Sequence, residues 1–459
     1  MQSGAPSMLK SVNHQKSEGN PMKTMIQSVK GTREFYPRQM ELRRWLYAKI
    51  EATATQFGYE EWDGPFLEKI DLYAAKSGEE LVKEQSFVFP DRGGDLITLR
   101  PELTPSLARM VAQKQNELTY PLRWWSFGPF WRYERPQKGR SREFFQWNID
   151  MIGVESAEAD AELVGICVKF LKSVNVTPDQ VKVLVNHREL IDVELGKLGV
   201  VSDLKKAVFK LIDRKDKLPY DKWQATALEA GLTQNQLEGV VKLLENKELW
   251  RESEYLSKVF SILKTMGLAD YVVYDPKIIR GLDYYTGLVF EAWDVGGDGR
   301  SVLGGGHYSN LIGDVGGSPL GGVGFAMGDM MMTVILEKYG LLPQFGAFEK
   351  TALVTVFDKN FVTNSVKFAT DLRKIGVKTI CYPEAAKLQK QFKFADKLGI
   401  KLVVVIGPDE VTFNKVTIKD LNIISNEFNN ESLIDNVING KQKTLDRDEA
   451  LLKIKQMLV

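Results

Sequence analysis

Cysteine and histidine are scarce in this chain. Its 459 residues include two cysteines, Cys167 and Cys381, and three histidines, His14, His187 and His307. The cysteines lie far apart in apolar segments, which fits buried thiols kept reduced. Five such residues so scattered cannot build a His/Cys zinc site at any standard spacing. An excess of one charge is missing too. Lys+Arg 61 against Asp+Glu 60 leaves +1, so any nucleic acid must be held by local patches, not by a globally basic body. No apolar run is long enough to cross a bilayer. The polar segment 1–28 lacks the apolar centre of a secretory signal, and it lacks the arginines of an organellar presequence. We expect a disordered extension there, followed by a cytoplasmic protein without a membrane partner.

What the chain has is length, ordinary composition and one concentrated basic stretch. At 459 residues it exceeds a single core, so several domains are expected. The basic stretch is FWRYERPQKGRSREFFQWNIDMIG, Phe130–Gly153. Aromatic and β-branched residues flank a polar turn holding Pro136 and Gly139, the pattern of an antiparallel hairpin. Five basic residues (Arg132, Arg135, Lys138, Arg140, Arg142) face two acidic ones (Glu134, Glu143) between its arms. Guanidinium groups suit bidentate phosphate recognition, and a hairpin can aim several at one polyanion. A solvated hairpin with surface charges is equally consistent with this stretch alone.

Upstream, Leu42, Leu46, Ile50, Ala54 and Phe57 recur at helical spacing, with Gly58 where the helix should stop. Asp95–Met110 reads as a strand, Pro101 and a helix start, with Glu102 and Thr104 at the junction. Glu102 could pair with a ligand ammonium, though Glu and Thr also favour helix N-termini. From about 181 to 272 the sequence holds amphipathic helical segments, among them Asp203–Ile212, Asn235–Leu244 and Tyr255–Leu268. Next comes IIRGLDYYTGLVFEAW, Ile278–Trp293, an Arg-Gly-Leu-Asp-Tyr-Tyr cluster before a strand. Adjacent tyrosines on extended backbone point to opposite faces, so only one would line a given wall unless a turn intervenes. Gly304–Gly306 could let backbone approach a ligand, or could mark a turn. After Gly340–Gly346, strands alternate with helices through Ile406, which gives a small parallel or mixed sheet. Lys387, Lys390 and Lys393 there could meet an RNA backbone or line a solvated helix face.

The order strand-borne Arg132, Glu134, basic loop, Arg142 and Phe144 resembles motif 2 of the class II aminoacyl-tRNA synthetases. RGLDYYTG, Arg280–Gly287, resembles the histidine-binding loop of the histidyl-tRNA synthetases, and the likeness runs over roughly Val29–Val459. The resemblance implies an α+β fold. Residues 29–345 would form an antiparallel catalytic sheet flanked by helices, interrupted by the helical insertion, and 350–459 an α/β anticodon-binding domain. It implies ATP-dependent activation of L-histidine to histidyl-adenylate, and transfer to the 3′ end of tRNA(His). Arg132 and Arg280 would act on the α-phosphate. Glu102, Thr104, Arg132, Gln146, Asp150, Arg280, Tyr284 and Tyr285 would hold histidine. Arg132, Glu134, Arg140, Arg142 and Phe144 would hold ATP, with Phe144 on adenine. Arg135, Gln137 and Lys138 would meet the tRNA acceptor end. Magnesium would accompany ATP on phosphates and water, with no protein-liganded metal, and the helix from Leu42 with the strand before Pro65 would build a homodimer. Three positions depart from the family pattern: Met331 stands where an ATP-binding arginine is usual, and His307 and Ser309 where Arg and Asp are usual. A regulatory subunit of histidine biosynthesis lacking ligase activity and a plain RNA-binding protein are the alternatives. The intact RGLDYYTG and the C-terminal domain argue against the first, and Phe144 with the histidine loop against the second.

Overall fold

The aromatic arms of the basic stretch form the longest strand pair among the described residues, β5 (Leu122–Trp131) against β6 (Glu143–Ile152). The computed structural model describes residues 25–74, 84–137, 139–279, 285–297, 301–346, 348–421 and 442–459. Of the extension 1–28, residues 1–24 lie outside these. The described chain divides into two compact units, one running up to Glu34 and from Lys49 to Gly340, the other comprising Phe35–Ala48 and Leu341–Val459.

The first unit is built on an eight-stranded sheet. Its strands are β1 (Glu60–Glu61), β5, β6, β7 (Val181–His187), β8 (Val272–Tyr274), β9 (Leu288–Asp294), β10 (Ser301–Tyr308) and β11 (Gly322–Gly328), in spatial order β1-β5-β6-β11-β10-β9-β7-β8. The six central strands are antiparallel, and only the outermost pairs, β1 with β5 and β7 with β8, are parallel. Beside it, β2 (Leu67–Lys69), β3 (Phe87–Pro90) and β4 (Leu96–Leu99) make a three-stranded antiparallel sheet that leads into the helix Thr104–Lys114. Pleat alternation sorts the side chains of β6. Trp147, Ile149 and Met151 are buried toward the helix Ala157–Ser173, where Trp147 meets Phe170 at 5.1 Å between ring centres. Phe144, Gln146, Asn148 and Asp150 take the opposite face.

Helices Ser202–Asp213, Gln234–Glu245 and Glu254–Thr265 occupy the three amphipathic stretches read from the sequence. Thr233 caps the second of these with a reciprocal bond to Gln236. Val181–His187 does not belong with them. Its alternating Val181, Val183 and Val185 are fully buried, and β-branched residues at period two fit a covered sheet better than a helix. That segment is a strand of the main sheet.

In the second unit β12 (Thr351–Val354), β13 (Lys378–Cys381), β14 (Leu402–Val405), β15 (Lys415–Asp420) and β16 (Gln442–Asp446) form a mixed sheet in the order β13-β12-β14-β15-β16. β12 is parallel to both its neighbours, and the last two pairings are antiparallel. Ala352, Val354, Leu402 and Val404 send side chains into a core with Phe368 and Ile454. Leu353 and Val403 point the other way, into a second core with Phe392 and Ala395. Burial on both faces explains the near-continuous apolar runs of β12 and β14.

Candidate active site

Register decides which residues meet on the open face of the larger sheet. Asp150 lies opposite Gly324 on one side and Trp124 on the other, and Gln146 opposite Gly328 and Gly128. Asn148 has Ala326 and Ser126 as partners, and across β10 Gly306 stands opposite Gly324. The middle of this face is therefore a trough floored by glycine, alanine and serine. Close approach requires the smallest of them at Gly324, where a methyl group would stand 2.1 Å from Asp150 Oδ1.

At one end of the trough sits a buried carboxylate. Asp150 is 6% exposed and accepts a hydrogen bond of 3.0 Å from the hydroxyl of Tyr308, itself 1% exposed. Burial pushes the Asp150 carboxyl up to about 7, with the Tyr308 bond acting in the opposite sense. Tyr285 closes the same end, its ring so near Gly306 that a methyl there would meet Cδ1 at 2.8 Å. At the other end lies the arginine that follows β5. Arg132 donates from Nε to Pro101 O at 2.9 Å, and its guanidinium lies 5.3 Å from the ring of Phe144. Phe144 in turn stacks on Phe130, at 5.9 Å and 26°. Glu102 is buried beside Pro101, and the backbone carbonyl of Glu102 accepts from Tyr73 at 3.3 Å. Thr104 opens the helix Thr104–Lys114.

The hairpin loop is held by its own groups. Gln137 and Arg140 exchange backbone hydrogen bonds of 3.0 and 2.9 Å across the tip, where Gly139 takes φ +76°. Arg140 pairs with Glu134 at 3.3 Å, while Arg142 lies over Tyr133 at 3.9 Å and donates from Nε to the carbonyl of Glu134. Arg135 and Gln137 are exposed. Met331 packs under the tip, its Sδ 2.2 Å from where a methyl on Gly139 would be, and the Ser141 hydroxyl contacts Met330 Sδ at 2.9 Å. Arg140 and Met331 both line a cavity of about 710 Å³ that extends past Glu291 and Trp293 to Asp213 and Lys217. Just before these methionines, Asp329 accepts from Phe145 N–H at 3.0 Å and pairs with Arg33 at 2.7 Å, which fixes the helix Asp329–Lys338 to β6.

Thus Phe144, Gln146, Asp150 and Tyr285 lie along this face of the sheet, Arg132 follows β5 against Pro101 and so next to Glu102, and Glu134 and Arg142 belong to the hairpin loop. Lys138, Arg280 and Tyr284 fall outside the described residues. Tyr308 was not legible as a partner of Asp150, because nothing in GGGHYS marks a contact 158 positions away. His307, at a usual arginine position, points to the other side of the sheet. Its Nδ1 meets Asp160 Oδ1 at 2.9 Å, and Tyr255 donates to the same carboxylate at 2.7 Å. Burial works to lower the His307 pKa, but the bond and charge of Asp160 prevail and it is raised. Ser309, at a usual aspartate position, shares a 2.8 Å hydroxyl contact with Thr286.

The fold, a largely antiparallel sheet with flanking helices and a C-terminal mixed-sheet unit, is that of solved class II synthetase structures. Histidyl-tRNA synthetase from Nostoc sp. PCC 7120 superposes with a TM-score of 0.77 at 23% identity, over 95% of this chain and 100% of that one. A sequence model of histidyl-tRNA synthetase matches residues 31–330, and one of an anticodon binding domain matches 350–457. The histidine–tRNA ligase of Leptospira biflexa is 36% identical over 448 residues, 95% of this chain and 99% of that protein. The chloroplastic/mitochondrial histidine–tRNA ligase of Arabidopsis thaliana is 35% identical over 427 residues, 91% and 86% of the two chains. The chain belongs to the histidyl-tRNA synthetase family.

The raised carboxyl at the trough's end yields a pH-dependent expectation. A buried Asp150 prefers its proton, so folding is favoured at low pH and loses that contribution as pH rises through about 7. Asp150→Asn removes the cost of the buried charge. Its stability relative to the parent should grow by about 2 kcal/mol between about pH 5.5 and about pH 8.5, while kcat/KM for histidine falls about a hundredfold or more. Paired thermal melts across that range check the first, and amino-acid activation assays the second. A difference independent of pH would contradict the raised carboxyl.

Proposed function

We propose that this protein is a histidine–tRNA ligase whose first half-reaction runs in the trough between Arg132 and the Asp150–Tyr308 pair. The observation that carries the reading is that pair. A buried carboxylate and phenol at the closed end of a small-residue floor form a hydrogen-bonding end suited to an imidazole. A ligand lacking ring N–H groups would leave them unpaired, which is how such a site discriminates. Glu102, Thr104 and Gln146 would hold the α-amino end. The histidine carboxylate would then lie toward Arg132, with ATP beyond it, adenine on Phe144 and the phosphates near Arg140.

A carboxylate oxygen attacks the α-phosphorus, a P–O bond forms, and the bond to pyrophosphate breaks. Negative charge gathers on the phosphoryl oxygens as this happens. Arg132 suits that charge: its Nε is tied to Pro101 O, its plane rests by Phe144, and its Nη groups have no protein hydrogen-bond partner among the described residues. Arg280 would assist from the histidine loop. In the second half-reaction the terminal ribose hydroxyl of tRNA attacks the acyl carbon and AMP leaves. Magnesium would ride with ATP on phosphates and water. Of the carboxylates lining the cavity, Asp213 is paired with Lys217, and Glu291 accepts from Trp293, which fits a metal held mainly by the nucleotide. Free thiols at Cys167 and Cys381 support a reducing compartment such as the cytoplasm. Half-exposed Leu67 and Phe89, which the register puts on one face of the small sheet, support a homodimer with that face covered. The anticodon-binding match over 350–457 favours the ligase over a regulatory paralogue.

The loop separates the two half-reactions. Replacing Arg135, Gln137 and Lys138 together with Ala should cut aminoacylation of tRNA(His) by tenfold or more, while histidine-dependent pyrophosphate exchange stays within about threefold. Parallel loss of both would assign the loop to the ATP site instead.

Met331 poses a separate test. A thioether cannot neutralise a γ-phosphate. Arg142 is committed to Tyr133 and the Glu134 carbonyl, whereas Arg140 is exposed, makes one long ion pair with Glu134 and lines the same cavity as Met331, so it is the better cation for that end. Met331→Arg should leave kcat of exchange within about tenfold, because the added cation meets a phosphate already neutralised. An inactive parent rescued by Met331→Arg would refute the active-ligase reading.

A further inference from the structure

Arg100 joins the end of β4 to Pro101, and its side chain is fully buried. Burying a guanidinium is costly unless its donors are met. Nε donates to Pro129 O at 2.9 Å, and Nη1 donates to Gly64 O at 3.0 Å and to the half-exposed carboxylate of Asp63. Nη2 has no hydrogen-bond partner among the described residues. Aromatic rings take the place of acceptors there, with the guanidinium carbon 4.5 Å from the ring centre of Phe66 and 4.7 Å from that of Phe130. β5 makes room for this group at one position. A methyl on Gly128 would stand 2.3 Å from Nη2, and Gly128 takes no left-handed backbone, so glycine is needed there for the space alone.

These contacts converge on Arg132. Arg100 holds the end of β5 twice: its Nε takes Pro129 O, and its own carbonyl accepts from Trp131 N–H at 3.1 Å. Arg132 follows immediately, and its Nε donates to Pro101 O at 2.9 Å, the carbonyl next after that of Arg100. The dipeptide Arg100–Pro101 therefore fixes both the strand that carries Arg132 and the Arg132 side chain. The rings repeat the connection, since Phe130 stacks on Phe144 and Arg132 lies by Phe144. On its other side Arg100 is tied to the turn before β2, through Asp63, Gly64 and a 2.8 Å bond from its N–H to Phe66 O. With its backbone and side chain both engaged, Arg100 has little freedom to shift, and neither has the end of β5.

We propose that Arg100 is a positioning residue for adenylate formation, which holds Arg132 in the orientation that turns its Nη groups toward the charge developing on the α-phosphate. Buried as it is, Arg100 touches no substrate. Gly128 belongs to the same arrangement, because only a residue without a side chain admits the guanidinium to this end of β5. The proposal rests on the ligase reading above. It predicts a loss that depends on Arg132, because a group that acts through another has nothing left to position once the other is removed.

The test is histidine-dependent pyrophosphate exchange by the full chain, run as a double-mutant cycle between positions 100 and 132. Arg100→Met keeps much of the length and removes every donor. Its kcat should fall about thirtyfold in the parent but less than about threefold in the Arg132→Ala protein. Arg100→Lys keeps the charge, yet one ammonium cannot reproduce the fork that holds Pro129 and Gly64 together, so it should lose about tenfold or more. Gly128→Ala leaves Arg100 in the chain and displaces its guanidinium. It serves if the variants at position 100 fold poorly, and its loss should show the same dependence on Arg132. Equal losses with and without Arg132, the mark of a general structural role, would overturn the proposal. Full activity of a folded Arg100→Met or Arg100→Lys would overturn it too. A parent protein without any exchange would instead overturn the ligase reading, and an unimpaired Arg132→Ala the place of Arg132 in it.

Discussion

The pairing of Asp150 with Gly324 fixes the rest of the site. Side chains on a strand alternate between faces, so a one-residue slip of β6 would bring Trp147, Ile149 and Met151 into the trough and send Gln146 and Asp150 into the core. The register is held from both sides. Aromatic packing of Trp147 against Phe170 and Phe325 locks the covered face, and on the open face Gly324 alone leaves room for the Asp150 carboxylate. Tyr308 then reaches that carboxylate from β10. Each of these steps fails if the first does.

A long apolar stripe with a polar counterpart is readable in one dimension, and those parts of the molecule were legible. The hairpin, the helices at Ser202–Asp213 and Gln234–Glu245 and the alternating C-terminal elements follow from periodicity and turn chemistry. Partners far apart in sequence were not legible. Tyr308 and Asp150, His307 and Asp160, and Asn186 with Pro276 and Ile278 are polar contacts made by folding, and a lone Tyr, His or Asn carries no sign of its mate. The glycines left a real ambiguity between turn and close approach. Gly304–Gly306 lie in the middle of β10, and Gly306 leaves room for the Tyr285 ring.

The departures from the family pattern take on different physical meanings in three dimensions. His307 gives the buried Asp160 a partner on the covered side of the sheet, and Tyr255 supplies a second hydrogen bond to the same carboxylate. Met331, where the family pattern has an arginine, cannot carry charge. It trades a charge for a polarizable surface on which the Gly139 turn rests, and this carries Arg140 to the same cavity. If the reading proposed above holds, charge at the ATP end would come from a loop and not from a helix start, and ATP affinity is expected to depend on how the loop tip is held.

A chain with these departures from the family pattern is expected to activate histidine and no other amino acid. Exchange of labelled pyrophosphate into ATP by the unaltered protein measures this directly, because the first half-reaction does not consume tRNA. Exchange is expected with L-histidine and none above background with the other standard amino acids. Exchange supported by a different amino acid, or no exchange by a folded protein that binds histidine, would contradict it.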